Sequence, residues 1–369
     1  MTTNPFVPHN TKTATVEDVF SPAEVQLANR NHGLLLETLE CDVTPTGAHY
    51  LLNHFDVPIL KEDDFQLNFC GAFDAPDQLT MADIRALDQI TIPVTVECAG
   101  NGRAGVSPRS YSMPWMHEAV GTSLWTGTPL WPLIERAMPA QDTVEIAFYG
   151  EDYGYDMGHA HHFGRSLTLA DLQTLDVLLA YEMNGIPLLP QHGAPLRIIV
   201  PGWYGMASVK WLNKIEALTK SFEGFQQVRT YQFREKREDL GVPIQDMRVK
   251  SLMRPPGVPD WTSRKRCLQA GPVTLMGRAW SGLGRTITRV EVNIGERWID
   301  ASLTPGTDKY AWTRWDMDWH AQPGDYVLRC RATDCAGNTQ PLTAPWDVSG
   351  FANNAVHCVE VFVRSMGSE

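Results

Sequence analysis

The chain has 369 residues, with 43 Asp and Glu against 31 Lys and Arg, a formal net charge of −12. That balance excludes nucleic acid as a bulk partner and requires any anionic substrate to be drawn in by a local basic patch. The length implies two domains, and 25 Pro with 29 Gly predict strands and loops more than long helices.

The first thirty residues lack an apolar core and a twin-arginine pair, and no later window reaches membrane-spanning length. As the sequence stands this implies a cytoplasmic protein, or a periplasmic one if a signal was removed. Seven scattered cysteines do not form a disulfide framework, and without a CxxC pair a zinc knuckle or covalent haem is not expected.

Residues 1–45 read as irregular and loop-rich. His49–Pro58 reads as a short strand running into a loop, and Ile90–Ala99 as a strand ending at Cys98. The stretch Val96-Glu97-Cys98-Ala99-Gly100-Asn101-Gly102-Arg103 places a thiol at a strand end, beside a permissive turn and a cation. This suits a soft metal or a nucleophile, although a lone cysteine there is more often a small buried hydrophobe.

Thr128-Pro129 predicts a helix start, with Leu130, Leu133, Ile134 and Ala137 as its apolar face. Val144–Tyr149 reads as a strand ending in Gly150-Glu151-Asp152. His159, His161 and His162 fall on an irregular segment, too close together to converge on one ion, and read as supporting or solvent-exposed groups. Thr168-Leu169-Ala170-Asp171 is a capping box opening a short helix, and Asn184-Gly185 after the strand Val177–Met183 signals a hairpin. Arg197 and Lys210 flank a Gly-containing turn and form a candidate anion cradle.

Pro255, Pro256 and Pro259 with Gly257 mark a domain boundary. Beyond it, Ile287, Val290, Val292 and Ile294, then Tyr326, Leu328, Cys330 and Ala332, alternate as in an immunoglobulin-like β-sandwich.

Five collinear blocks resemble the molybdenum-containing sulfite oxidases and dehydrogenases: residues 96–103, 179–185, 192–202, 208–212 and 337–346. The resemblance implies an α+β fold, a mixed molybdopterin domain followed by an immunoglobulin-like β-sandwich. It divides the chain into an extension (1–45), a molybdopterin-binding catalytic domain (46–248) and a dimerisation domain (249–369).

It further implies that Cys98 ligates molybdenum beside the dithiolene of one pyranopterin, with no haem. Tyr50, Leu51, Asn53, His54, Asp152, His192, Arg197, Ser208, Val209 and Lys210 match cofactor contacts, with Arg197 and Lys210 facing its phosphate. Arg103 matches an anion-binding arginine, Trp125 a pocket tryptophan, and Tyr231 the tyrosine beside the reacting oxygen. The implied reaction is oxidation of sulfite to sulfate, with electrons passed to an external acceptor such as a cytochrome; the alternative is a related molybdoenzyme acting on sulfoxides or sulfane sulfur.

Two departures bear on the substrate. Leu52 stands where animal-type enzymes carry a second arginine, and Arg314 is an imperfect match to the arginine contributed by the sandwich domain. A homodimer without a membrane span completes the expectation.

Overall fold

The computed structural model describes residues 20–365, so the first nineteen residues of the expected irregular extension lie outside the described residues. The remainder of that extension is more ordered than expected. Ser21 and Glu24 form a reciprocal capping box that starts the helix Pro22–Arg30.

Two sheets build the first unit. One runs in the order Gln78–Thr80, Gln66–Gly71, Leu212–Leu218, Glu145–Asp156, His159–Thr168. Its Gln66–Gly71 and Leu212–Leu218 strands are parallel and its other pairs antiparallel. The second pairs Ile90–Glu97 with Val120–Pro129, then Leu178–Met183, which also takes Arg197–Ile199 on its other side. Strands such as Leu178–Met183 are buried on both faces, so they read as continuous apolar runs.

The second unit is a β-sandwich. A four-stranded sheet (Lys250–Met253, Gly271–Trp280, Thr313–Ala321, Ser302–Thr304) faces a six-stranded one containing Ile287–Asn293, Gly324–Asp334 and His357–Arg364. The expected alternation holds: Val290, Val292, Leu328, Cys330 and Ala332 are fully buried in its core. Leu252, Trp280, Trp312, Phe351 and Ala352 instead join the core of the first unit, so the two units share apolar surface. No helix among the described residues is long and apolar enough to cross a membrane.

Several local expectations are corrected. His49–Pro58 is not a strand; it comes after a short 3-10 turn, Thr46–Ala48, and only Leu51 makes an isolated bridge, to His32. Thr128 and Pro129 end the strand Val120–Pro129, and the helix starts at Trp131 with Pro132 in its first turn. Its buried face is the expected one, because Leu130, Leu133, Ile134 and Ala137 set it whichever residue caps the helix. The Val144 strand does not stop at Gly150: a register shift between Tyr149 and Tyr153 carries it on to Asp156. His159, His161 and His162 therefore lie on a regular strand, not an irregular segment. The Thr168 box and the Asn184-Gly185 turn occur as read, the latter with φ of 55° and 75°.

Candidate active site

The strand Ile90–Glu97 delivers Cys98 into a tight turn. The Cys98 amide donates to the Ala119 carbonyl at 2.9 Å, and the Asn101 amide closes back on the Cys98 carbonyl at 2.9 Å. Gly102 takes a φ of 92°, which a side chain would oppose. A Cβ at Gly100 would lie 2.6 Å from Arg103 Nη2, so a side chain there would displace the guanidinium.

Cys98 opens onto a cleft that also receives Tyr50, Leu51, His54, Trp125 and Tyr231. Asp152, His192, Arg197, Ser208 and Lys210 also line it. Thus most of the residues singled out from the sequence converge. Asn53 stands just behind the wall, where its Oδ1 accepts from Lys210 Nζ. Val209 packs into the core, 1% exposed, and does not line the cleft; its carbonyl accepts from the Ile198 amide at 3.0 Å.

Arg103 stands beside the site, close enough for its charge to act on Cys98, His54 and Tyr231. It is absent from the cleft wall. Its Nε donates to the Ser349 carbonyl at 2.6 Å and its Nη1 to the Met113 carbonyl at 3.2 Å. Arg314 is not at the site either; it lies opposite Arg278 in the sandwich sheet. The sandwich contributes Phe351 and the Ser349 carbonyl instead.

The electrostatics are those of a buried cationic pocket. Arg197 donates to the carbonyls of His192 and Ser208, both at 3.0 Å, and its guanidinium lies 4.9 Å from the Trp125 ring centroid. Lys210 Nζ donates to the Leu52 carbonyl at 2.9 Å and the Gln191 carbonyl at 3.2 Å, and also to Asn53. All these hydrogen-bond partners are neutral. Burial, then the neighbouring Arg197 charge, pushes the Lys210 ammonium well below its usual range.

Burial also raises Asp152 to about 6, against the pull of Lys210. His54 and His192 are pushed down to about 3 by burial and the surrounding cations, so both rings are neutral at physiological pH. Burial raises the Cys98 thiol, while Arg103, the Gly100 amide and the Trp115 indole act the other way. A thiol in this setting ionises when a cation or metal binds it.

Two cations buried without a carboxylate in their hydrogen-bond shells are costly unless an anion completes them. Trp125 Nε1 and Arg197 Nε, both on cleft-lining residues, are buried without acceptors. A phosphate at the Arg197–Lys210 end and a soft metal at Cys98 would satisfy this donor set, which therefore fits a phosphorylated metal cofactor.

Sequence reasoning missed several wall residues. His49 lines the cleft and packs edge-on to Trp125 and His192. Phe163 packs on His54. Gln226–Thr230 forms a π-helical turn that ends at Tyr231, a local irregularity that occurs at functional sites. None carries a motif; only the folded chain brings them to Cys98.

The fold and the donor set define a molybdopterin-binding oxidoreductase architecture. The family described as oxidoreductase molybdopterin binding domain matches residues 54–226, and the Mo-co oxidoreductase dimerisation domain matches 242–364. The mitochondrial sulfite oxidase of Rattus norvegicus is 32% identical over 350 residues, covering 88% of this chain and 62% of the relative. The nitrate reductase (NADH) of Ulva prolifera is 30% identical over 349 residues, covering 85% of this chain and 40% of that one. The crystal structure of the sulfane dehydrogenase SoxCD from Paracoccus pantotrophus superposes with a TM-score of 0.75 at 26% identity, covering 88% of this chain and 82% of that chain. The chain belongs to the sulfite oxidase family of molybdenum oxidoreductases. It spans about three fifths of the length of the mitochondrial relatives it matches, 62% of the rat protein.

Proposed function

We propose that the protein oxidises sulfite to sulfate and passes the electrons to an external acceptor. The observation that supports this reading best is the single cleft joining the Cys98 thiol, Tyr231 and the Arg197–Lys210 cations.

Molybdopterin, when bound, supplies the two-electron redox chemistry and the oxygen atom transferred. The chain's own residues then divide the work. The Cys98 thiolate would hold the metal, and Arg197 and Lys210 would hold the phosphate, the former with a planar fork and the latter as a compact charge. Trp125, 1% exposed and packed on Arg197, gives the pocket a rigid wall. Tyr231 is fixed by a 2.8 Å hydrogen bond between its hydroxyl and His54 Nε2. The neutral His54 ring carries one proton; with that proton on Nε2, His54 donates to the Tyr231 oxygen and leaves the Tyr231 hydroxyl proton free to face an oxyanion substrate. Arg103 adds positive potential from behind the wall without touching the substrate.

A second reading, oxidation of sulfane sulfur or reduction of sulfoxides with the same cofactor, is favoured by Leu52. This apolar side chain lines the cleft where a further cation would complete an oxyanion pocket. Sulfite-dependent reduction of ferricyanide by the purified holoenzyme separates the two. Turnover that disappears in Cys98→Ser supports sulfite oxidation, and absence of sulfite turnover in the wild type overturns it.

A further inference from the structure

Tyr231 stands within a four-member stack that no local motif encodes. The Arg103 guanidinium lies 4.9 Å over the Phe351 ring. Phe351 and Tyr231 pack with centroids 5.0 Å apart and planes at 33°. The Arg165 guanidinium lies 5.7 Å over the Tyr231 ring. These residues come from four places: the turn after Cys98, the strand His159–Thr168, the end of the π turn and the sandwich unit.

The two guanidiniums are held in the same way. Arg103 donates to the carbonyls of Ser349 and Met113. Arg165 donates from Nη1 to the Gln226 carbonyl at 2.8 Å and from Nη2 to the Ile244 carbonyl at 3.5 Å, while its Nε is buried without an acceptor. Arg165 is 2% exposed and Arg103 is 5% exposed. Backbone carbonyls orient a guanidinium but do not neutralise it; Glu145 acts on Arg165 and Asp347 on Arg103 without an ion pair to either, so both guanidiniums stay charged beside the stacked rings. Tyr231 sits within their field and lines the cleft together with the apolar Leu52.

We infer that Arg165 is a positioning residue for an oxyanion substrate, supplying through Tyr231 part of the positive charge that Leu52 does not carry. This rests on the reading of the Tyr231 end of the cleft as an oxyanion pocket. Arg165 does not line the cleft, so it acts on the anion at a distance, by its field and by fixing the Tyr231 ring. The two carbonyls it holds belong to Gln226 in the π turn and to Ile244 further along the chain, so orientation and charge arrive from one side chain.

The test is binding of inorganic sulfate to the holoenzyme, followed by intrinsic tryptophan fluorescence, in the wild type, Arg165→Gln and Arg165→Lys. The charge role predicts that Arg165→Gln weakens sulfate binding about tenfold or more while Arg165→Lys stays within about threefold. Lysine keeps the charge but loses the fork to two carbonyls, so a merely structural role predicts equal loss in both variants. Equal binding in all three proteins, equal loss in both variants, or no sulfate binding by the wild type overturns the inference. Should Arg165→Gln fail to fold, Arg165→Met repeats the comparison with a closer match in shape. Sulfate binding that follows this order without any sulfite turnover overturns the proposed reaction and leaves the role of Arg165 standing.

Discussion

Lys250 Nζ lies 2.9 Å from Glu97 Oε1, with both side chains 1% exposed, and this pair joins the first sandwich strand to the residue before Cys98. Neither charge is left half-satisfied. Glu97 also accepts from Asn101 Nδ2 and Trp280 Nε1, each at 2.9 Å. Lys250 also donates to the carbonyls of Asn353 at 2.9 Å and Asn101 at 3.3 Å. Lys250→Met leaves Glu97 buried and uncompensated, so it is expected to cost about 3–5 kcal/mol of unfolding free energy. Denaturant unfolding measures it. A loss of less than about 1 kcal/mol would show that the pair adds nothing to the join between the units.

The phosphate cradle gives a second prediction. Arg197→Gln removes a planar charged donor from a site where Lys210 alone remains. The cost of one charge-assisted contact, about 1.5–3 kcal/mol, corresponds to a 10- to 100-fold weaker hold on the cofactor. Pterin fluorescence after acid oxidation of the purified variant reports this. Undiminished pterin content after extensive dialysis would contradict the cradle.

Acid is expected to destabilise the fold from the sandwich junction. His357 is pushed down to about 4 by burial and the nearby Lys250, and its Nδ1 must stay unprotonated to accept the Met253 amide at 3.1 Å. His117, whose ring centroid is 4.9 Å from that of His357, is lowered well below its usual value by burial, then by His357 and Lys250. Between the unfolded value near 6.5 and about 4, the unfolded chain binds protons that the native state excludes. Stability therefore falls as pH drops through this window, by up to roughly 1.4 kcal/mol per pH unit for each proton. Asp152, raised to about 6, acts in the opposite sense, since its native form holds a proton the unfolded chain releases. His49, His54 and His192, lowered by burial to about 4, 3 and 3, act with the junction pair, so the histidines outweigh the one carboxyl; a denaturation midpoint that is flat or rising from about pH 6.5 to 4.5 would contradict this.

Leu52→Arg tests what the pocket lacks. The Leu52 carbonyl already anchors Lys210 at 2.9 Å while its side chain lines the cleft, so the change adds a cation without removing that contact. If sulfite is the substrate, its apparent affinity should rise about 10- to 100-fold, the equivalent of one charge-assisted hydrogen bond. The KM for sulfite from steady-state kinetics is the readout, and an unchanged value would place the anion away from residue 52.

The features legible in the sequence are local. The turn after Cys98, the Thr168 box, the Asn184-Gly185 hairpin and the alternation around Val292 and Leu328 are each written in a few neighbouring residues. The helix start is misplaced because Thr128-Pro129 imitates a cap, whereas strand pairing of Thr128 with Leu179 takes precedence. The histidine strand is hidden because its exposed end, residues 159–162, carries three histidines and no apolar alternation. Arg103 carries the right motif, yet its direction is set by Ser349 and Phe351, about 250 residues away along the chain. Arg165 and His49 give no signal, because their roles exist only where separate segments meet.

Everything proposed for the cleft depends on a molybdenum cofactor bound at Cys98. Metal analysis of the protein purified from a cofactor-competent host, wild type beside Cys98→Ser, addresses that dependence. The expected result is close to one molybdenum per chain in the wild type and an altered metal absorption spectrum in the variant. Wild-type protein that is folded but free of molybdenum, or a variant with an unchanged spectrum, would contradict it.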